Sequence, residues 1–494
     1  MQEFILAIDQ GTTGTTALLI NQKLEIAAKT NHEFRQIYPQ AGWVEHDLND
    51  IWQSTLLAIS DVLKKAAISG NQIAAIGITN QRETTCLWEK KTGKPLANAI
   101  VWQCRRTASI CETLKKQKKE DLFRNKTGLV LDPYFSGTKM KWLLDKDPHL
   151  YHRAQKNEVI FGTIDSFLVS KLTNNASFVT DASNASRTLL MNLKTLQWDE
   201  ELLDILKIPR EILPEIKSSS EIYGKTKGVE GLPDGIPISG IAGDQQAALF
   251  GQACFEPGHA KCTYGTGSFL LANIGSKIIH SKNNLITTVA WKLKDDVTYA
   301  LEGSAFIAGA AVQWLRDGLG IIRDASEMEA LATSVTDTQG VVFVPALTGL
   351  GAPYWKSHAR GMISGLTRGT TKAHLARAAL EGIAFENHDL AQAMQKDMKR
   401  EISLLKVDGG ASQNNFLMQF QSDLLKKVMI RPKTIETTAI GAACLAGLAI
   451  GFWKDLSDIQ NAWQKDKAFT PKMSDQDRTK HLESWQHAIR QCLA

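Results

Sequence analysis

Phe4-Ile5-Leu6-Ala7-Ile8-Asp9-Gln10-Gly11-Thr12-Thr13-Gly14-Thr15-Thr16-Ala17-Leu18-Leu19-Ile20 is the stretch that decides the fold class. An apolar run ends in a carboxylate, passes through a Gly/Thr turn and resumes as a second apolar run. The pattern predicts a β-hairpin whose tip carries backbone N–H groups and hydroxyls. Glycine lets a polyphosphate approach the main chain, and adjacent N–H groups form an anion-binding concavity. Thr12 and Thr13 add hydroxyl donors, and Asp9 at the strand end suits a magnesium ion or its waters. A plain hairpin that needs glycine only for geometry has the same residues, and the turn alone does not choose between the two.

The design recurs in the second half. Ala260 to Tyr264 leads into Gly265-Thr266-Gly267-Ser268, and Phe269 to Ile274 follows. Two such hairpins suggest an internal duplication. Between and after them, strand and helix signals alternate. Ile73 to Thr79 and Leu404 to Val407 read as strands, and Leu48 to Lys65 and Leu375 to Met398 as amphipathic helices. Alternation of this kind predicts α/β layers, here two α/β domains facing each other across a cleft. The boundary is expected near Gly251 to Gly258, giving domains 1–252 and 253–494. Ser218 to Gly240, rich in Ser, Gly and Pro, reads as a long connection or surface loop. Ala439 to Trp453 spans 15 residues, short of the ~18 a membrane-spanning helix needs. It reads as a buried helix with Thr437 or Thr438 as N-cap. Asp475 to Cys492 reads as a charged terminal helix.

Composition narrows the class. Over 494 residues, 43% are apolar and 22% charged, the balance of a globular chain. A net charge of +5 is too small, and the run Lys115 to Lys119 too short, for a nucleic-acid footprint. That run reads as a solvated helix face. Seven scattered cysteines without a Cys-x-x-Cys pair support neither a disulfide framework nor a zinc site, and favour a reducing, cytoplasmic setting. The N-terminus lacks the basic region and cleavage site of a signal peptide, and no membrane insertion is expected.

Three further segments could carry chemistry. Ile241-Ala242-Gly243-Asp244-Gln245-Gln246 places a carboxylate after an apolar run, where it would serve as a general base or as a helix N-cap. Thr79-Asn80-Gln81-Arg82-Glu83-Thr84 offers a donor-only guanidinium beside an accepting carboxylate, which suits either polyol hydroxyls or a solvated pair. Asp408-Gly409-Gly410-Ala411-Ser412-Gln413-Asn414 would let a base or ribose approach closely, or is a turn with helix-capping residues. Gly224-Lys225-Thr226 is not a Walker loop, because Ser219 stands where that motif needs glycine.

Together these segments resemble the FGGY family of carbohydrate kinases from Ile5 to about Trp453. The likeness is most specific at Tyr38-Pro39 with Gly42 to Asp47, Ile76 to Thr85, Trp102 to Arg106, Asp132 to Lys139, Ser239 to Gln246, Gly349 to Trp355 and Val407 to Gln421. The resemblance implies two actin-like, RNase-H-like domains with ATP in the central cleft. It implies ATP-dependent phosphorylation of glycerol to sn-glycerol 3-phosphate. The alternatives are another polyol or ketose, or an actin-like ATPase that is not a kinase. It assigns Asp244 as catalytic base, and Arg82, Glu83, Tyr134, Asp244 and Gln245 to the polyol hydroxyls, with Trp102 and Phe269 as the apolar wall. Thr12, Thr13, Gly14 and Thr16 would meet the nucleotide on one side, and Thr266, Gly309, Gln313, Gly410 and Asn414 on the other. Asp9 and Asp244 would position Mg²⁺, and a homodimer or homotetramer is expected. Two departures stand out. Members commonly carry an Arg where this chain has Thr16, which implies a weaker grip on ATP. Some members bind fructose 1,6-bisphosphate through a Gly-Arg loop, and here that loop reads Gly231-Leu232-Pro233-Asp234-Gly235, so that control is not expected.

Overall fold

The structure, a computed structural model, describes residues 2–356 and 358–494. The first hairpin is β1 (Phe4–Gln10) and β2 (Gly14–Ile20), followed by β3 (Ile26–Glu33). Next come helix α1 (Leu48–Ala66) and strands β4 (Ile73–Asn80), β5 (Ser220–Lys225) and β6 (Pro237–Gly243). These strands form one six-stranded sheet in the order β5-β6-β4-β1-β2-β3. Strand β1 is buried along nearly all its length, because α1 covers one face and further helices the other. A strand covered on both faces reads as a continuous apolar run.

Helix α2 (Asp244–Gly251) leads into the second half. There β7 (His259–Tyr264), β8 (Ser268–Gly275), β9 (Ile286–Leu293), β10 (Asp296–Ala305), β11 (Leu404–Asp408), β12 (Met429–Pro432) and β13 (Lys465–Phe469) form a seven-stranded sheet. Its order is β9-β10-β8-β7-β11-β12-β13. The pairing repeats that of the first sheet. Strand β1 is antiparallel to β2 and parallel to β4, and β7 is antiparallel to β8 and parallel to β11. The duplication expected from two hairpins therefore extends to the sheets that carry them. Helices α3 (Lys372–Met398), α4 (Asn415–Leu425), α5 (Thr437–Ile450) and α6 (Asp475–Leu493) complete the frame.

Helix α5 comes late in the sequence but lies on the first sheet. A Cβ added at Gly77 of β4 would sit 2.2 Å from the carbonyl oxygen of Ala442, and one at Gly240 of β6 would sit 2.3 Å from the amide nitrogen of Ala446. The two glycines are what lets the helix backbone approach the sheet. Ala439, Ala443 and Leu445 of α5 share one core with Ile5, Ala7 and Leu18 of the first sheet and Leu271, Ala290 and Ala300 of the second. A third, helix-rich cluster centred on Phe123, Phe135 and Leu143 packs against Ile286, Val289 and Tyr299 of the second sheet. Tyr134 packs at its edge.

Two expectations are corrected. Ser218 to Gly240 is not one loop: β5 and most of β6 lie within it, with Ile238 and Ile241 buried against β4. Gly240 is small for close packing under α5, and the Ser220 and Ser239 hydroxyls donate to the Leu445 and Ala446 carbonyls of that helix. Helix α5 is not N-capped by Thr437 or Thr438. Glu436 precedes it without a side-chain cap bond, and the Thr437 hydroxyl instead donates to Asp408 at 2.8 Å.

Candidate active site

The first Gly/Thr turn is closed by a bond from Gly11 N–H to the Gly14 carbonyl at 2.9 Å. Trp102 Nε1 donates to the Thr12 hydroxyl at 3.0 Å, and Gln36 Nε2 to the Thr12 carbonyl at 3.0 Å. Thr13 is exposed at the tip. The second turn closes likewise, from Gly265 N–H to the Gly267 carbonyl at 2.9 Å. The amides of Ala308 and Ala310 donate to the Thr266 carbonyl, and Gly309 N–H donates to the Gly265 carbonyl at 2.8 Å. Thr266 and Gly309 are thus side by side, and Gln313 ends the same short helix, exposed. The third turn follows β11. Gly409 has φ +84°, and a Cβ there would meet the Tyr264 carbonyl oxygen at 2.6 Å, so only glycine fits. Gly410 is open, with no atom within 4 Å of such a Cβ. Asn414 caps α4 by accepting from Leu417 N–H at 2.9 Å, so what it has left for a ligand is its amide N–H.

At the C-terminal ends of β4 and β6 the charged side chains converge. Arg82 Nε lies 3.0 Å from Asp244 Oδ1, and Arg82 Nη1 donates to Gln246 Oε1 at 3.2 Å. Arg82 Nη2 reaches the Tyr134 hydroxyl at 3.5 Å, and the Tyr134 ring meets Trp102 edge-on at 5.6 Å. Gln245 Nε2 donates to Asp244 Oδ2 at 3.3 Å. Glu83 is buried with φ +60°, a left-handed conformation uncommon outside glycine and frequent at functional sites. Asp244 is the first residue of α2, not its N-cap: Gly243 holds that place. Its carboxylate keeps 32% exposure, the accessibility a proton acceptor needs. Phe269, on β8 opposite Thr263 and Ser304, is half-buried. No hydrogen bond or ring contact ties it to the other site residues among the described residues.

Four residues of this cluster escaped the sequence reading. Glu302 of β10 binds both Arg82 and, at 2.9 Å, Arg187 Nη2. Arg187 Nε also donates to Glu83 at 2.6 Å. Burial alone would push Glu302 up, yet the Arg187 and Arg82 guanidiniums hold it down at about 2. Burial raises Glu83 against the same two arginines. Lys139 donates to the carbonyls of Glu83 and Tyr134, and burial lowers it to about 8. Lys261 of β7 donates to Gln245. The signal available in the sequence was a single acid, Glu302, inside the apolar run Tyr299 to Ala305.

Asp9 stands at the end of β1. Burial first, then the nearby carboxylates of Asp244 and Glu436, raise it to about 7, with Lys29 opposing. It has no ion-pair partner among the described residues. Among them no group of three or more His, Cys, Asp or Glu could hold a metal, so a closed protein cage is not built. Asp9 and Asp244 are two carboxylates close enough to act on each other's charge, and Mg²⁺ sites with one or two carboxylates draw their remaining oxygens from substrate phosphates and waters. Thr16 pairs directly across from Asp9 and accepts from Asn31 Nδ2 at 2.8 Å. A cation on this face is Lys29, two residues along β3 from Asn31, paired with Glu436 at the head of α5. Asp234, in the loop between β5 and β6, is exposed and accepts from Gly228 N–H at 2.7 Å.

Residues 4–251 match the N-terminal domain model of the FGGY family of carbohydrate kinases, and residues 260–450 match its C-terminal domain. The chain belongs to this family. It is 56% identical over 490 residues to a glycerol kinase of Bdellovibrio bacteriovorus, covering 99% of both chains. It is 56% identical over 489 residues to one of Myxococcus xanthus, again over 99% of each. The crystal structure of Plasmodium falciparum glycerol kinase with ADP superposes with a TM-score of 0.94 at 39% identity, covering 100% of this chain and 99% of that one.

Proposed function

We propose that this chain transfers the γ-phosphoryl group of ATP to a terminal hydroxyl of glycerol, giving sn-glycerol 3-phosphate. One observation carries the reading: Arg82, Tyr134, Gln245 and a partly accessible Asp244 converge beside the first Gly/Thr turn. An uncharged triol is recognised only by hydrogen bonds. Arg82 donates to its oxygens, Glu83 and Asp244 accept from its hydroxyls, and Trp102 and Phe269 wall its carbon skeleton. Thr12, Thr13 and Gly14 face the phosphates from one side. Thr266, Gly309, Gln313, Gly410 and Asn414 hold the nucleoside from the other. Thr16 brings no charge, and Lys29, already paired with Glu436, offsets at most part of that loss. Asp9 and Asp244 would hold Mg²⁺, which when bound neutralises phosphate charge. Asp244 takes the proton of the attacking hydroxyl, and in phosphoryl transfer the remaining work is positioning and charge stabilisation.

The cytoplasm is the proposed setting, on the ground that all seven cysteines are free and six are buried. A homodimer or homotetramer is the proposed assembly, to be read by sedimentation. No described helix is long and apolar enough to cross a membrane.

The test is ADP release with glycerol as acceptor. Asp244→Asn is expected to lower glycerol-dependent turnover by about 10²-fold or more while ATP binding persists. Wild-type ADP release that does not rise when glycerol is added, or rises only with a ketose, would sink this reading.

A further inference from the structure

Lys261 is fully buried on β7, and its nitrogen joins the two halves. It donates to Gln245 Oε1 on α2 and to the Thr263 hydroxyl at 2.8 Å. The Thr263 hydroxyl in turn donates to Asp408 Oδ1 at 2.5 Å. Asp408 closes β11, directly before Gly409 and Gly410, and its other oxygen accepts from Gln252 at 2.7 Å and Thr437 at 2.8 Å. The donor directions are fixed by chemistry. An amide whose oxygen accepts from Lys261 has only its N–H group left to face Asp244, as the Gln245 Nε2 bond to Asp244 Oδ2 shows. One nitrogen therefore sits at the centre of a chain whose two ends are carboxylates: Asp244 beside the polyol cluster and Asp408 at the head of the third glycine turn.

We propose that Lys261 is a positioning residue that locks the Gln245 amide toward Asp244 and ties that amide, through Thr263, to the Asp408 end of the Gly409-Gly410 turn. The proposal rests on the reading of Asp244 as the proton acceptor. Burial lowers Lys261, with Asp408 opposing, yet the geometry works in either protonation state because a neutral amine still has two N–H groups to donate. Gln245 is itself 8% exposed, so without Lys261 its oxygen is left in a dry site and the amide turns over or leaves.

The test is a double-mutant cycle on kcat. Lys261→Met keeps most of the volume and removes the donor. It is expected to lower kcat with glycerol by about 10- to 100-fold, the cost of leaving a buried amide oxygen without its donor, with KM for ATP changed less than about threefold. Because Lys261 acts through Gln245, the same change in a Gln245→Ala background is expected to cost less than about threefold further. Equal fold-losses in both backgrounds, or an unchanged kcat, overturn the proposal. If Lys261→Met does not fold, Thr263→Val against Thr263→Ser asks the same question. The valine variant is expected to lose activity and the serine variant to keep it, and parity between them overturns the tie to Asp408. A crystal structure of Lys261→Met reads the point without turnover and so separates this proposal from failure of the kinase reading. Gln245 is expected to leave Asp244, and an unmoved Gln245 refutes the role.

Discussion

Around Glu302 four buried charges stand in alternation, Glu83, Arg187, Glu302 and Arg82, each carboxylate beside a guanidinium. Their sum is neutral, which is how they are tolerated without water, but removing one leaves the others uncompensated. Glu302→Gln is expected to cost about 3 kcal/mol of stability, as breaking a buried pair does. It is also expected to raise KM for glycerol by about tenfold, because Arg82 loses the partner that orients it. Denaturant midpoints and initial rates check both, and a KM within about twofold of wild type would show that Arg82 is held by other contacts. Asp9 gives a pH prediction. Its ordinary value is 3.8 and its value in the folded chain is about 7. The folded state therefore keeps the proton where the unfolded chain has lost it. The contribution is fully present below pH 3.8 and is lost as pH rises through about 7. Because Asp9 keeps some contact with solvent at the strand end, the size is expected to be no more than ~2 kcal/mol. Other buried acids titrate in the same window, so the comparison is wild type against Asp9→Asn. The difference in stability is expected to grow from pH 4 to about pH 7.5 in the variant's favour, and a constant difference would refute it.

At the level of elements, what was legible was what local chemistry encodes. The two hairpins, α1, β4, α3 and β11 are apolar runs or amphipathic repeats bounded by turn residues, and the structure places them within a few residues of the expected ends. What was not legible depended on partners distant in sequence. Strands β5 and β6 looked like loop because Gly240 and its neighbours serve the approach of α5, which lies some two hundred residues later. Glu302 and Arg187 carry no local motif, and their meaning comes from meeting Arg82 and Glu83 in space. Thr437 looked like an N-cap because nothing near it in sequence reveals Asp408. The α5 contact is testable on its own. Gly77→Ala puts a methyl group 2.2 Å from the Ala442 carbonyl oxygen, a backbone atom without room to yield. It is expected to destabilise by about 2 to 3 kcal/mol, the upper part of the range for overpacked cores. Gly410→Ala, with open space around the position, is expected to leave stability within about 0.5 kcal/mol and serves as the control. Equal stabilities of the two variants would mean that α5 does not rest on β4 as described.

Over the whole molecule, one core is shared by the two halves. Ile5, Ala7 and Leu18 of the first sheet and Leu271, Ala290 and Ala300 of the second bury against the same helix pair, α2 and α5. Residues 1–252, expressed alone, keep every strand of the first sheet but lack α5. The Gly77 and Gly240 face is then left bare, with Ile5, Ala7 and Leu18 beneath it. An apolar face of that kind does not stay in water as an ordered surface. Such a fragment is expected to aggregate or to show broad, non-cooperative unfolding. Residues 437–450, fused to it through a flexible Gly/Ser linker long enough to reach the sheet, are expected to restore a single sharp transition. The full-length chain is expected to lose hydrogen-exchange protection in β1 and β8 together, since both lean on the same core. If residues 1–252 unfold cooperatively without α5, or β1 opens long before β8, the halves are independent folding units, and the shared helix pair is packed between them without binding them.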